Sequence, residues 1–154
     1  EEHGAPPLVI VDYLQRMPAP KELRIQEIRE RVSYIAGLLQ VHLARSIGCP
    51  VLAISSLNRN SYHLASLDEE KRLASLKEAG ELEYTAYTAS LLYGLPAEKQ
   101  GYHFNPGSMN SFRPMVLDVV KHREGEPARL AIKWTPASNT WYDAVEYGGD
   151  MEEL

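Results

Sequence analysis

The stretch Leu-Val-Ile-Val-Asp-Tyr-Leu-Gln (residues 8–15) constrains the fold more than any other. It is an unbroken run of β-formers with Pro6 and Pro7 before it and Met-Pro-Ala-Pro (17–20) after it. A continuous apolar run between turn signals predicts a strand buried on both faces, the kind found in parallel sheets. Asp12 falls where such a strand surfaces at its carboxyl end, the edge at which open α/β sheets take up ligands. A carboxylate there can hold Mg²⁺ beside a phosphate. It can also cap the following turn, and on this stretch alone both readings stand.

Length and composition narrow the class. A chain of 154 residues is long enough for one domain with a real core. With 44% hydrophobic and 24% charged residues it is neither disordered nor membrane-like, and no apolar run approaches the ~20 residues of a spanning helix. The first residues, Glu-Glu-His-Gly-Ala-Pro-Pro, lack the basic and apolar regions of a signal peptide. Cys49 is the only cysteine, which rules out an intramolecular disulfide and favours a reducing, cytoplasmic setting. A net charge of −5 disfavours broad nonspecific nucleic-acid binding but permits a local basic loop. A buried parallel strand almost at the start needs neighbours on both sides, so the sequence reads as the C-terminal part of a larger α/β domain.

After the proline-rich turn, Ile25, Ile28, Val32, Ile35, Leu39, Leu43 and Ile47 recur every three or four residues and predict one amphipathic helix. Arg24, Glu27, Arg31, Gln40 and Arg45 fall on its other faces as solvated decoration. Gly48 and Pro50 end it. Val-Leu-Ala-Ile-Ser (51–55) predicts a second buried strand, parallel to the first, which brings Ser55, Ser56 and Asn58 to the same edge as Asp12. Residues 61–77 are polar, with Tyr62, His63, Lys71, Arg72 and Lys77 among three acidic residues. Such a loop either tracks a single-stranded backbone or is a solvated helix-loop.

Residues 85–93 predict a third strand, with helix also open because of Ala86 and Ala89. Residues 94–113 have no periodicity and read as an exposed loop. Residues 115–121 and 129–134 predict two strands joined by a hairpin turn, His-Arg-Glu-Gly-Glu-Pro (122–127), and Thr-Trp-Tyr (140–142) a last short strand after a turn at Asn139. Residues 148–154 form an acidic tail. Lys121 and Arg123 stand at the mouth of the hairpin. They are either solvated bases beside Glu124 and Glu126 or a rigid phosphate-contacting pair. One cysteine and five scattered histidines give no transition-metal ligand spacing.

Four segments, in order, resemble one family. Val-Ile-Val-Asp-Tyr-Leu-Gln (9–15) resembles the Walker B strand of DnaB-type replicative helicases. Cys-Pro-Val-Leu-Ala-Ile-Ser-Ser-Leu-Asn-Arg (49–59) resembles the next strand and its sensor motif. Leu-Lys-Glu-Ala-Gly-Glu-Leu-Glu (76–83) and Val-Lys-His-Arg-Glu-Gly (120–125) resemble the family's Leu-Lys-Glu-Ser-Gly-x-Ile-Glu segment and its Lys-x-Arg-x-Gly hairpin. The resemblance implies an α/β fold: the C-terminal part of a RecA-like P-loop ATPase core over residues 1–147, a mostly parallel sheet flanked by helices with a C-terminal antiparallel hairpin.

The resemblance also implies roles. Asp12 would hold the Mg²⁺ of ATP, Ser56 would stand at the sensor position, and Tyr13, Gln15, Asn58 and Arg59 would line the nucleotide side. Lys121 and Arg123 would reach the nucleotide of a neighbouring subunit in trans. His63, Lys71, Arg72 and Lys77 would face single-stranded DNA inside a homo-oligomeric ring. The chain departs from the replicative members in having Ser56 where they carry Gln, and Tyr-Thr-Ala-Tyr (84–87) where they carry Gln-Asp-Ala-Asp. It also has no Gly-x-x-x-x-Gly-Lys-[Ser/Thr] phosphate loop. The expectation is therefore part of an ATP-dependent DNA helicase that binds no nucleotide by itself. The alternatives are a non-enzymatic truncated module that self-associates or binds a helicase subunit, and a plain single-strand DNA binder.

Overall fold

The computed structural model describes residues 4–57, 64, 71, 82–95 and 112–143. The chain divides into two compact units, Glu1–Tyr62 with Asp68–Ala86, and His63–Leu67 with Tyr87–Leu154.

In the first unit, β1 (Val9–Val11) pairs in parallel with β2 (Val51–Ala53), Val9 opposite Val51 and Val11 opposite Ala53. The expected strand order and orientation hold, but β1 is shorter than residues 8–15. The chain bends at Asp12 and enters a 3-10 turn, Leu14–Arg16. Helix α1 (Ile28–Leu38) starts three residues after the first apolar position of its stripe and continues as a π-helical segment, Leu39–Arg45. Gly48, at φ +76°, ends it in the left-handed conformation that a side chain would resist. Only the middle of the stripe is buried: Val32 and Ile35 close on Leu14, with Val11, Met17, Tyr34, Leu39 and Leu82 packed around them. Ile28 and Ile47 stay exposed.

Two expectations change here. Arg31 and Gln40 are not mere decoration: Arg31 Nη2 donates to the Gln15 carbonyl at 3.1 Å, and Gln40 Nε2 donates to the Thr85 carbonyl at 2.6 Å. Nor is the parallel pair buried on both faces. Val11 faces the Leu14 core, while Ile10 and Leu52, opposite each other in the register, are 60% and 53% exposed, with Leu8 and Ile54 also open. Period-two alternation puts these four apolar side chains on the face away from that core.

The second unit is an antiparallel meander, β3 (Thr88–Gly94), β4 (Arg113–His122), β5 (Ala128–Thr135) and β6 (Thr140–Asp143), paired in that order. Residues 82–85, the near end of the expected third strand, form one helical turn instead. The hairpin at 122–127 and the last short strand stand as expected, and Asn139, at φ +50°, accepts a hydrogen bond from Trp134 Nε1 across its turn. The mostly parallel sheet is not what the described strands form: one parallel pair stands against four antiparallel strands. The reason is connection length. A short turn joins antiparallel neighbours, and a parallel pair needs a long crossover, which among these strands only β1 and β2 possess.

One buried polar cluster stands in the meander. Asp118 is buried, accepts a hydrogen bond from the Tyr93 hydroxyl at 3.0 Å, and lies 3.7 Å from Arg129 Nε. Arg129 Nη2 donates to the same hydroxyl at 2.9 Å. Burial, first, raises the Tyr93 pKa above the ordinary tyrosine value.

Candidate functional site

The parallel pair brings two strand ends together. The Ile54 N–H donates to the Val11 carbonyl and the Leu14 N–H to the Ile54 carbonyl, each at 2.9 Å, so the ladder runs on past the strands. Gln15 then stitches the loops. Its Nε2 donates to Ser55 Oγ at 2.9 Å and to the Ser56 carbonyl at 3.0 Å, and its Oε1 accepts from the Ser56 N–H at 3.1 Å. The side-chain amide of Gln15 is thus spent on fixing the sensor loop beside the Asp12 bend. Asp12 and Ser56 are exposed at this edge, and Tyr13 is half-buried. The Asp12–Tyr13 peptide is cis.

The cofactor fit can be judged from the donors. Among the described residues no three His, Cys, Asp or Glu side chains gather into a metal site. Asp12 offers one carboxylate, which suits Mg²⁺ because that ion keeps several waters and takes phosphate oxygens for its other positions. It does not suit Ca²⁺ or Zn²⁺, which need a fuller set of protein ligands.

Lys121 and Arg123 belong to the other unit. Lys121 is half-buried near the end of β4, and Arg123 is exposed in the turn. The β3 register steps from Lys121 opposite Ala89 to Val119 opposite Ser90, leaving Val120 as a β-bulge. A bulge bends its strand and re-aims the side chains beyond it. The last β4–β5 pair is Val119 with Ala128, so Lys121 and His122 are held only by β3.

Past the bulge, Thr88 Oγ1 and His122 Nδ1 are hydrogen-bonded at 3.0 Å, and the Arg123 N–H donates to the Tyr87 carbonyl at 3.2 Å. The Tyr87 and His122 rings meet edge to face, 6.0 Å apart at 72°. A hydrogen bond with Glu124, the largest influence, raises the Tyr87 pKa, and the nearby Arg123 charge opposes it. Sequence reasoning missed Tyr87 and His122, since neither lies in a periodic pattern. The available signal was Gly125, where any Cβ would run into the His122 ring.

Of the proposed DNA-facing residues, Lys71 is exposed, while His63, Arg72 and Lys77 lie outside the described residues. So do Asn58 and Arg59, the 96–111 part of the expected loop, and the acidic tail. Among the described residues no helix is long and apolar enough to cross a membrane.

The parallel strand pair ending in Asp12, with the Lys-x-Arg hairpin, agrees with what comparison finds. The family described as the DnaB-like helicase C-terminal domain matches residues 1–143. This chain belongs to that family. The replicative DNA helicase DnaB of Leifsonia xyli subsp. xyli is 34% identical over 125 residues, covering 81% of this chain and 25% of that protein. A probable replicative DNA helicase of Trieres chinensis is 27% identical over 138 residues, 90% of this chain and 29% of its own. The chain thus spans a quarter to a third of the curated relatives it matches. A solved DnaB-like replicative helicase, studied with its primase interactions, superposes with a TM-score of 0.61 at 25% identity, over 90% of this chain and 30% of its own. A further solved helicase ATPase domain, 23% identical with a TM-score of 0.63, shares the fold over 91% of this chain and 45% of its own.

Proposed function

We propose that this chain is part of the RecA-like motor of a DnaB-type, ATP-dependent DNA helicase that works in DNA replication as a cytoplasmic ring. The observation that carries the reading is the Gln15 stitch, which fixes Ser56 beside Asp12 at the carboxyl edge of a parallel pair. In this reading Asp12 orients Mg²⁺, which when bound offsets phosphate charge. Ser56 stands at the sensor position, with Tyr13, Asn58 and Arg59 alongside. Lys121 and Arg123 serve the nucleotide of a neighbouring subunit, and the segment with His63, Lys71, Arg72 and Lys77 faces single-stranded DNA. The sequence contains no phosphate-cradling loop, so the chain itself turns over no ATP.

Complementation tests the trans role. A DnaB-type helicase whose own finger arginine is replaced by alanine is mixed with this chain. ATP turnover is expected to rise about tenfold or more with the unaltered chain and not with Arg123→Ala. No rise with the unaltered chain, or an equal rise with both, overturns the assignment.

A second reading is favoured by the open apolar face of β1 and β2: a non-enzymatic module that pairs with another copy or with a helicase subunit through Leu8, Ile10, Leu52 and Ile54.

A further inference from the structure

We propose that Tyr87, Thr88 and His122 form a clamp that positions Arg123, so that the segment just before β3 sets the aim of the trans-acting arginine. This rests on the reading of Arg123 given above.

The need for a clamp follows from the sheet. Beyond Val119, β4 has no partner in β5, and the bulge at Val120 releases the strand from its regular path. A strand end paired on one side, followed by a Gly-containing turn, is a segment whose direction its few remaining contacts decide. Those contacts lead back to residues 87 and 88. The Arg123 amide is fixed to the Tyr87 carbonyl, and the His122 ring to the Thr88 hydroxyl. The edge-on contact of Tyr87 fixes the tilt of that ring. Glu124 is drawn to the Tyr87 hydroxyl, so the residues on either side of Arg123 are both tied to Tyr87 and Thr88. Gly125 completes the device by leaving room for the imidazole.

The same segment is where the chain departs from the replicative pattern. Tyr87 replaces the second carboxylate of Gln-Asp-Ala-Asp, and the ring of Tyr87 and its bond to Glu124 are what an Asp at this position would not provide. The substitution therefore reads as a gain of anchoring at the hairpin. Transfer of a phosphoryl group depends on positioning, and a shift of ~1 Å in a charged group can cost about a hundredfold in rate. An arginine on a loose turn would spend most of its time off target.

The test uses the full chain in two measurements. Amide hydrogen exchange is followed by NMR for the unaltered chain, His122→Ala, His122→Asn and Gly125→Ala. His122→Ala is expected to speed exchange at Arg123 about tenfold while Leu91 and Val116, in the centre of β3 and β4, stay protected. Gly125→Ala, which displaces the ring rather than deleting it, should act in the same direction. His122→Asn, which can still bond Thr88, should recover part of the protection. The same variants then enter the complementation assay. His122→Ala should lower the recovered kcat roughly tenfold with KM for ATP unchanged, and His122→Asn should restore part of it.

If Arg123→Ala has no effect on kcat, the trans reading fails and the clamp has nothing to aim. If Arg123→Ala abolishes recovery but His122→Ala changes neither kcat nor Arg123 exchange, the positioning role alone is overturned. A loss of protection spread over Leu91 and Val116 as well would also overturn it, because His122 would then be holding the sheet rather than the turn.

Discussion

Arg129, Asp118 and Tyr93 show how single residues can matter without touching the site. Asp118 is a buried carboxylate whose neutralising partner is Arg129, and the Tyr93 hydroxyl is shared between them. Removing one partner of such a pair leaves a buried charge exposed to its own desolvation cost, so Arg129→Met is expected to destabilise the fold by about 3 kcal/mol, which urea unfolding measures. Tyr93 adds a pH dependence whose sign is fixed. Burial raises its pKa in the folded chain. Above pH ~10 the unfolded chain loses this proton while the folded chain keeps it, so the stability is complete below the unfolded pKa and is lost as pH rises through the folded one. Thermal unfolding from pH 9 to 11 should therefore fall less steeply in Tyr93→Phe than in the unaltered chain. An equal slope in both would show that other groups govern alkaline stability.

At the scale of elements, the 3-10 turn Leu14–Arg16 joins folding to the site. Leu14 is 1% exposed and fills the centre of the α1 contact, whereas Gln15, one residue on, ties the sensor loop. Leu14→Ala deletes a fully buried side chain and is expected to cost about 2–5 kcal/mol. It should also free the Ser56 amide, because the Gln15 backbone hangs on the same turn, and amide exchange at Ser56 reads this directly. Gln15→Ala should free Ser56 with a much smaller loss of stability. The strands on either side of this turn were legible in the sequence, as were the hairpin at 122–127 and the turn at Asn139, because apolar runs and turn residues mark them locally. The ends of α1 were not: a periodic stripe records what is apolar, not which part finds a partner, and only Val32 and Ile35 meet Leu14. Of the site, Asp12 and Ser56 could be assigned to one edge from the order of strands. The bonding of Gln15 could not, because it joins residues 40 apart in the chain. The bulge at Val120 was equally hidden, since no residue there departs from an ordinary strand pattern.

At the scale of the whole molecule, what stands out is the open face of the parallel pair. Both strands were expected to be buried on both sides, and each is covered on one. Ile10 and Leu52 lie side by side at more than half exposure, flanked by Leu8 and Ile54. Burying such side chains releases about 25 cal/mol per Å² of apolar surface, so four of them provide a strong drive toward any complementary surface. In a solution of the chain alone the available surface is the same face on a second copy, and a self-complementary pairing closes as a dimer. Light scattering over a range of concentrations should show mass rising toward twice that of one chain. Ile10→Lys with Leu52→Lys places two charges on the face, away from the Leu14 core, and is expected to return the chain to monomer with little change in its urea midpoint. A strict monomer at every concentration, unaltered by the double substitution, would remove the interaction-module reading and leave the ATPase reading without a rival.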